Sequence, residues 1–293
     1  MNYSDQYPFS GKYYLDQYGH KMHYLDEGPE DGPVVLLLHG NPTWSFMYRN
    51  VVQKLKNTHR CIAPDHIGCG LSEKPGVTDF PYNLKSHAEN IWGLLEHLGI
   101  EQFSLVVHDW GGAIGLTAFR DQLDRIQKLT ILNTAAFIDK DVPKRILFCR
   151  LPFIGDFFVR GLNGFAWPAT FMASAKGLSR RIKRGLLAPY GNWRNRVAVW
   201  RFVKDIPFEE NHPTGPLLRE TENVLKNLDN IPTIACWGMK DFCFNPDYLE
   251  KWKRLIPSLI SHEFHDAGHY ILEDECEECV QIISSFIRKP SDS

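Results

Sequence analysis

The sequence lacks several features that would fix its class at once. Nowhere in its 293 residues does an apolar run reach the ~18 positions needed to cross a bilayer. The N-terminus, MNYSDQYPFSGKYYLDQYGH, has no basic start leading into an apolar stretch. A soluble, cytoplasmic protein is expected. Neither sign of charge is in excess: Lys plus Arg is 33 against 35 for Asp plus Glu, a net charge of -2. That balance offers no sequence-wide attraction to nucleic acid or to an anionic membrane, and it suits a small neutral substrate. Cysteine is sparse and odd in number, with Cys61, Cys69, Cys149, Cys236, Cys243, Cys276 and Cys279 scattered through a chain large enough to fold without staples. Reduced thiols follow. Cys276-Glu277-Glu278-Cys279 has no second C-x-x-C to complete a zinc site, and Gly68-Cys69-Gly70 lacks the third glycine of a dinucleotide fingerprint. No metal and no cofactor are expected. Internal repeats and low-complexity tracts are also absent.

What the chain does contain is alternation. Short apolar runs recur at Val34-Leu38, Cys61-Pro64, Phe103-Val107, Leu129-Asn133, Thr233-Trp237 and Ile260-His265, with helical stretches between them. Strands buried on both faces read as such continuous runs, so an α/β fold with a mostly parallel central sheet is expected. Ahead of it, KYYLDQYGHKMHYLDEG has the pattern of an antiparallel hairpin turning at Tyr18-Gly19-His20. The alternation breaks over 137–217, rich in aromatics and punctuated by Pro and Gly, an insertion too long for an ordinary loop. It reads as a helical cap over the carboxyl ends of the strands, where open α/β sheets place their ligands. Residues 1–136 and 218–293 would then form the core domain. The cap phenylalanines Phe153, Phe157, Phe158, Phe165 and Phe171 are expected mostly in its interior, with one or two lining a pocket. The basic run Lys176 to Arg184 is expected as the solvated face of a cap helix.

One five-residue stretch carries the chemistry. Val107-His108-Asp109-Trp110-Gly111 follows a strand and precedes a plausible helix, the setting of a nucleophile elbow. Gly111 relieves the crowding of that sharp turn, while Val107 stands where the common G-x-S-x-G pattern has its first glycine. Taken alone, Asp109 could equally be an N-cap. Its partners decide otherwise. In hydrolases of this kind the acid and then the histidine follow the nucleophile, each after a core strand. Here Asp241 leaves the strand ending at Trp237, and His269 leaves the last strand. Asp247 lies inside a helix-like stretch and Asp266 is too near His269 in sequence to orient it. The end of the preceding core strand, Asn133-Thr134-Ala135-Ala136, offers no carboxylate.

An aspartate does what a serine cannot. A serine attacking a saturated carbon would leave an inert ether, whereas an aspartate leaves an ester that water can split, with His269 as base and Asp241 holding the imidazole. With an ordinary pKa of about 4, the carboxylate is ionised without any base. Displacement at an sp3 carbon is therefore expected. For the departing anion, the Trp110 indole N–H only donates, and Asn41, in the loop His39-Gly40-Asn41-Pro42 after the first parallel strand, offers a side-chain amide and a backbone N–H. A fixed donor pair in an apolar site suits a halide.

The motifs HGNPTWSFMYR (39–49), PDHIGCGLSEKP (64–75), VVHDWGGAIG (106–115), GMKD (238–241) and AGH (267–269) resemble the haloalkane dehalogenases of the α/β-hydrolase superfamily across nearly the whole chain outside the cap. The resemblance implies cofactor-independent conversion of a halogenated alkane and water to alcohol, halide and proton. Asp109 would be the nucleophile, His269 the base, Asp241 its partner, and Asn41 with Trp110 the halide donors, as in the family's third subgroup. Another subgroup uses a cap tryptophan in place of the asparagine, which keeps Trp167, Trp193 and Trp200 open. Epoxide hydrolases share the aspartate but tend to carry two cap tyrosines, and only Tyr190 lies within 137–217. A fluoroacetate-type enzyme would carry an arginine where Trp110 stands. A non-catalytic receptor on this fold would show degraded site positions, and none is degraded here. Oligomeric state, natural substrate and enantioselectivity stay open.

Overall fold

The computed structural model describes residues 3–139 and 143–289, so positions 140–142 of the inserted segment and the extreme termini lie outside the described residues. Eight strands form one sheet: β1 (Lys12–Leu15), β2 (Lys21–Glu27), β3 (Val34–Leu38), β4 (Arg60–Pro64), β5 (Phe103–Asp109), β6 (Ile126–Thr134), β7 (Thr233–Gly238) and β8 (Ile260–Phe264). Their order is β1-β2-β4-β3-β5-β6-β7-β8. β1 and β2 pair antiparallel, as does β2 with β4, and every later pairing is parallel. The hairpin turns where the sequence places it, with Gly19 at φ 80° and the Asp16 carboxylate accepting from the N–H groups of Tyr18 and His20.

The central strands are apolar on both faces because each face meets a different layer. Leu36 and Leu38 of β3 and Leu105 and Val107 of β5 pack on one side with Leu94 of helix Leu84–His97 and Ile114 of helix Trp110–Ala118. Val35, Leu37 and Val106 face the other side, with Val52 and with Ile283 of the C-terminal helix Cys276–Arg288. Alternate residues thus serve opposite cores. Parallel register aligns the carboxyl ends, Leu38 beside Val107, Asp109 beside Thr134 and Gly238 beside Phe264. The chain leaves β3 for β4 on one side and β5 lies on the other, so β3/β5 is a topological switch point, where this class of sheet opens a crevice.

Between β6 and β7 the chain forms helices at Lys144–Cys149, Ile154–Asp156, Ala166–Met172, Arg180–Leu187, Val197–Lys204 and Gly215–Val224, with a π-helical turn at Phe157–Gly161. Among the described residues no helix is long and apolar enough to cross a membrane. All seven cysteines are free thiols. The basic run lies as expected, with Arg180, Arg181 and Arg184 exposed on their helix. The cap phenylalanines do not all lie as expected. Phe158 and Phe165 line a cavity, but Phe153, Phe157 and Phe171 are exposed. Helical periodicity shows which residues share a face; it does not show whether that face meets protein or solvent.

Candidate active site

Asp109 ends β5 at φ 51°, ψ -126°, a positive-φ conformation that an L-residue holds only under constraint. The constraint is packing. A Cβ on Gly111 would collide with the Leu38 carbonyl, and one on Gly40 with the Asp109 carboxylate. Both glycines are therefore needed for β3 and the elbow to approach each other. The Thr134 hydroxyl donates to the Asp109 carbonyl and fixes the turn from β6. Asp109 occupies the N-cap position of the helix that follows, but its side chain makes no capping hydrogen bond there. Oδ1 instead accepts from the Asn41 backbone N–H at 2.6 Å.

The other oxygen faces the histidine. His269 Nε2 lies 3.6 Å from Asp109 Oδ2, and His269 Nδ1 is 2.8 Å from Asp241 Oδ2. Asp241 is oriented in turn by the Cys243 N–H, which donates to Oδ1 at 2.7 Å. All three groups are buried, so their charges act on each other with little screening. Burial raises the Asp109 pKa above the ordinary carboxylate range, against the opposing pull of the His269 charge and the backbone N–H groups of Asn41 and Trp110. Burial alone would lower the His269 pKa, but the charge and hydrogen bond of Asp241, with the Asp109 charge, outweigh it and raise it. An imidazolium formed here has two carboxylates to stabilise it.

Asn41 and Trp110 join Asp109 and His269 on the wall of one cavity of about 430 Å³. Asn41 Nδ2 donates one N–H to the Val199 carbonyl at 3.1 Å, which orients the amide. Trp110 packs against Phe202 at a ring separation of 5.3 Å. Aromatic and aliphatic side chains such as Phe137, Phe158, Phe165, Met172 and Leu218 make up most of the remaining wall. None of Trp167, Trp193 and Trp200 lines it. Tyr190 does not line it either; its hydroxyl donates to the Thr43 carbonyl.

Two residues that position the histidine loop, Phe244 and Asp274, carry no signal in the sequence. The Phe244 ring stacks on His269 with centroids 5.7 Å apart. Asp274, in the helical turn after His269, accepts from the Gly268 N–H (2.8 Å), the Ser174 hydroxyl (2.5 Å), and the backbone N–H groups of Ala175 and Lys176. It thereby ties the histidine loop to the segment between β6 and β7. Asn133, at the end of β6, bridges β6 to β7 through both its amide atoms and Gly238. His108 Nε2 donates to the His269 carbonyl, and His39 Nδ1 to that of Gly40, so both histidines brace loops rather than face the cavity.

Comparison with known proteins finds relatives over nearly the whole chain. The alpha/beta hydrolase fold family matches residues 33–275. The chain is 41% identical to a cis-3-alkyl-4-alkyloxetan-2-one decarboxylase of Shewanella oneidensis, over 96% of this chain and 89% of that protein. It is 33% identical to haloalkane dehalogenase 2 of Mycobacterium tuberculosis, over 92% and 91% respectively. The crystal structure of a haloalkane dehalogenase from Bradyrhizobium elkani superposes with a TM-score of 0.87 at 23% identity, covering 95% of this chain and 97% of that one.

Proposed function

The chain belongs to the haloalkane dehalogenase family of α/β hydrolases, and from that premise we propose that Asp109 attacks a saturated carbon and carries it as an alkyl ester. One observation supports this most directly: the elbow presents a carboxylate instead of a hydroxyl, with Oδ1 held by the Asn41 N–H and Oδ2 turned toward His269 in an apolar cavity. Oδ2 is the attacking atom and Asn41 with Trp110 receives the departing anion. Residues 137–217 act as the cap that shuts water out.

The substrate we assign is a cis-3,4-dialkyl oxetan-2-one. The relative at 41% identity is named for that reaction, and a large apolar cavity suits two alkyl arms. Attack of Oδ2 at C4 breaks the ring C4–O bond and leaves a carboxylate on C3. The C3–carboxylate bond then breaks, its electron pair forms the C3=C4 double bond, and the ester bond to Asp109 returns its pair to the enzyme. Carbon dioxide and an alkene leave, with no water or proton consumed. Inversion at C4 followed by anti elimination keeps the alkyl groups cis.

The second reading, favoured by the dehalogenase relative and the paired donors Asn41 and Trp110, is hydrolysis of a haloalkane to alcohol, halide and proton. Attack expels halide, and His269, stabilised by Asp241, takes a proton from the water that splits the ester. A product panel tests both. With a cis-dialkyl oxetanone, carbon dioxide and alkene should form in equal amounts; with 1-bromoalkanes, halide release measures the second route. Asp109→Ala should reduce either activity by at least roughly 10³-fold. An Ala variant that retains either product at the parent rate removes the proposed nucleophile, and halide without alkene reverses the order of the two readings.

A further inference from the structure

The surface of the inserted segment is unlike the rest. Among the described residues sixteen large hydrophobic side chains are exposed, and nine of them fall between Phe148 and Met172. Phe153 is 90% exposed, and Ile154, Phe157, Leu162 and Trp167 are each more than half exposed. Phe153 is held outward by its backbone: φ is 60°, and the Ile154 N–H donates back to the Pro152 carbonyl at 2.6 Å, a strained turn for a bulky residue. Phe157 and Trp193 both approach Gly161, and Trp167 meets Phe171 at 4.9 Å, so these side chains form clusters rather than isolated points. Phe148 and Met172 are exposed and also line the cavity, which makes the patch continuous with the cavity mouth.

Charge is segregated in the same way. The net charge of -2 conceals 14 Lys and Arg against six Asp and Glu in residues 137–217, and 19 against 29 in the remainder. The basic groups sit among the aromatics. Lys183 Nζ lies 3.4 Å from the centre of the Phe171 ring, the Arg160 guanidinium lies 4.4 Å from that of Trp193, and Arg180 and Arg184 are exposed on the adjoining helix. Asp156 is the acidic group within the patch and pairs with Arg160; Asp5 pairs with Arg181 at its edge. Exposed aromatics interleaved with Lys and Arg are the composition of a surface that rests in a headgroup layer, the rings at the acyl boundary and the cations on anionic phosphates.

We propose that the face formed by residues 148–172 and the helix Arg180–Leu187 seats on an anionic lipid bilayer, so that the cavity mouth opens against the membrane and an apolar substrate passes from lipid to Asp109 without crossing water. The occupant is a membrane surface and not a second protein because the patch joins apolar and basic groups around the opening through which an apolar substrate must enter. The association is peripheral. It holds whichever bond Asp109 breaks.

Co-sedimentation of the full chain with phosphatidylcholine vesicles, with and without phosphatidylglycerol, tests it by binding alone. The wild type should bind the anionic vesicles and be released by salt. Phe153→Asp with Phe157→Asp should weaken binding by at least about tenfold, and Arg180→Gln with Arg184→Gln by about fivefold for each charge removed. Both variants should keep the parent melting temperature and the parent rate on a water-soluble short-chain substrate. No binding by the wild type, or equal binding by all three proteins, overturns the proposal. A wild-type oligomer dissolved by the aspartates, without vesicle binding, also overturns it and gives the patch to a second copy.

Discussion

The carboxyl edge of the sheet and the segment that covers it are built by opposite rules. At the edge every functional side chain is over-determined. Asp109 is fixed by Gly40, Gly111, Thr134 and the Asn41 N–H, and His269 by Asp241, Phe244 and the His108 ring. The covering segment instead uses short helices, a π-helical turn and exposed aromatics. Displacement at carbon needs fixed reactants, whereas admission of a bulky apolar substrate needs a surface that can yield. Many contacts join the two, among them Asn41 to the Val199 carbonyl, Tyr190 to that of Thr43 and Trp44 to that of Gly185, and Asp274 accepts three hydrogen bonds from the covering segment at one carboxylate.

Cutting that tie should give the largest effect on stability. Asp274→Ala leaves the buried Gly268 N–H and Ser174 hydroxyl without their acceptor, at about 1–3 kcal/mol for each left unsatisfied; a total loss of about 2–4 kcal/mol, with turnover of apolar substrates falling further than the stability loss predicts, is expected from urea titration and steady-state rates. A variant as stable as the parent would mean that the covering segment is held elsewhere. Asn41→Ala tests the fixed side. Removing one donor to the departing anion should slow displacement by roughly ten- to a hundredfold, and pre-steady-state rates equal to the parent's would transfer that role to Trp110 alone.

The smallest effect concerns pH. Hydrolysis requires neutral His269, whose pKa is raised, so halide release should fall as pH drops through a value above the ordinary histidine value of about 6.5. Lactone decarboxylation by the proposed route uses no base and requires only ionised Asp109. Burial raises that pKa too, yet the acid limb should lie below the hydrolytic one. Superimposed profiles for the two substrates would show that the imidazole serves both reactions.

Much of the fixed side could be read from the chain because its constraints are local. Continuous apolar runs mark strands buried on both faces, and Asp109, Asp241 and His269 each follow one. β6 begins at Ile126, three residues before its apolar run, because Lys128 is buried with its ammonium bonded to the carbonyls of Phe286 and Ile287. β8 is the edge strand, and its run reads one residue too long: it stops at Phe264, leaving His265 exposed. Asp274 and Phe244 act through contacts distant in sequence or through stacking, which no spacing rule encodes. In the inserted segment, apolar periodicity suggests an interior, and Phe153, Phe157 and Phe171 show that the same pattern also builds an outward face.

If Asp109 bonds to a saturated carbon as proposed, mass spectrometry of a His269→Phe protein treated with a 1-bromoalkane will show it. Without the imidazole the ester should form and persist, so the peptide carrying Asp109 should gain the mass of one alkyl group. An unmodified peptide, or an alkyl group found on another residue, would remove Asp109 as the nucleophile.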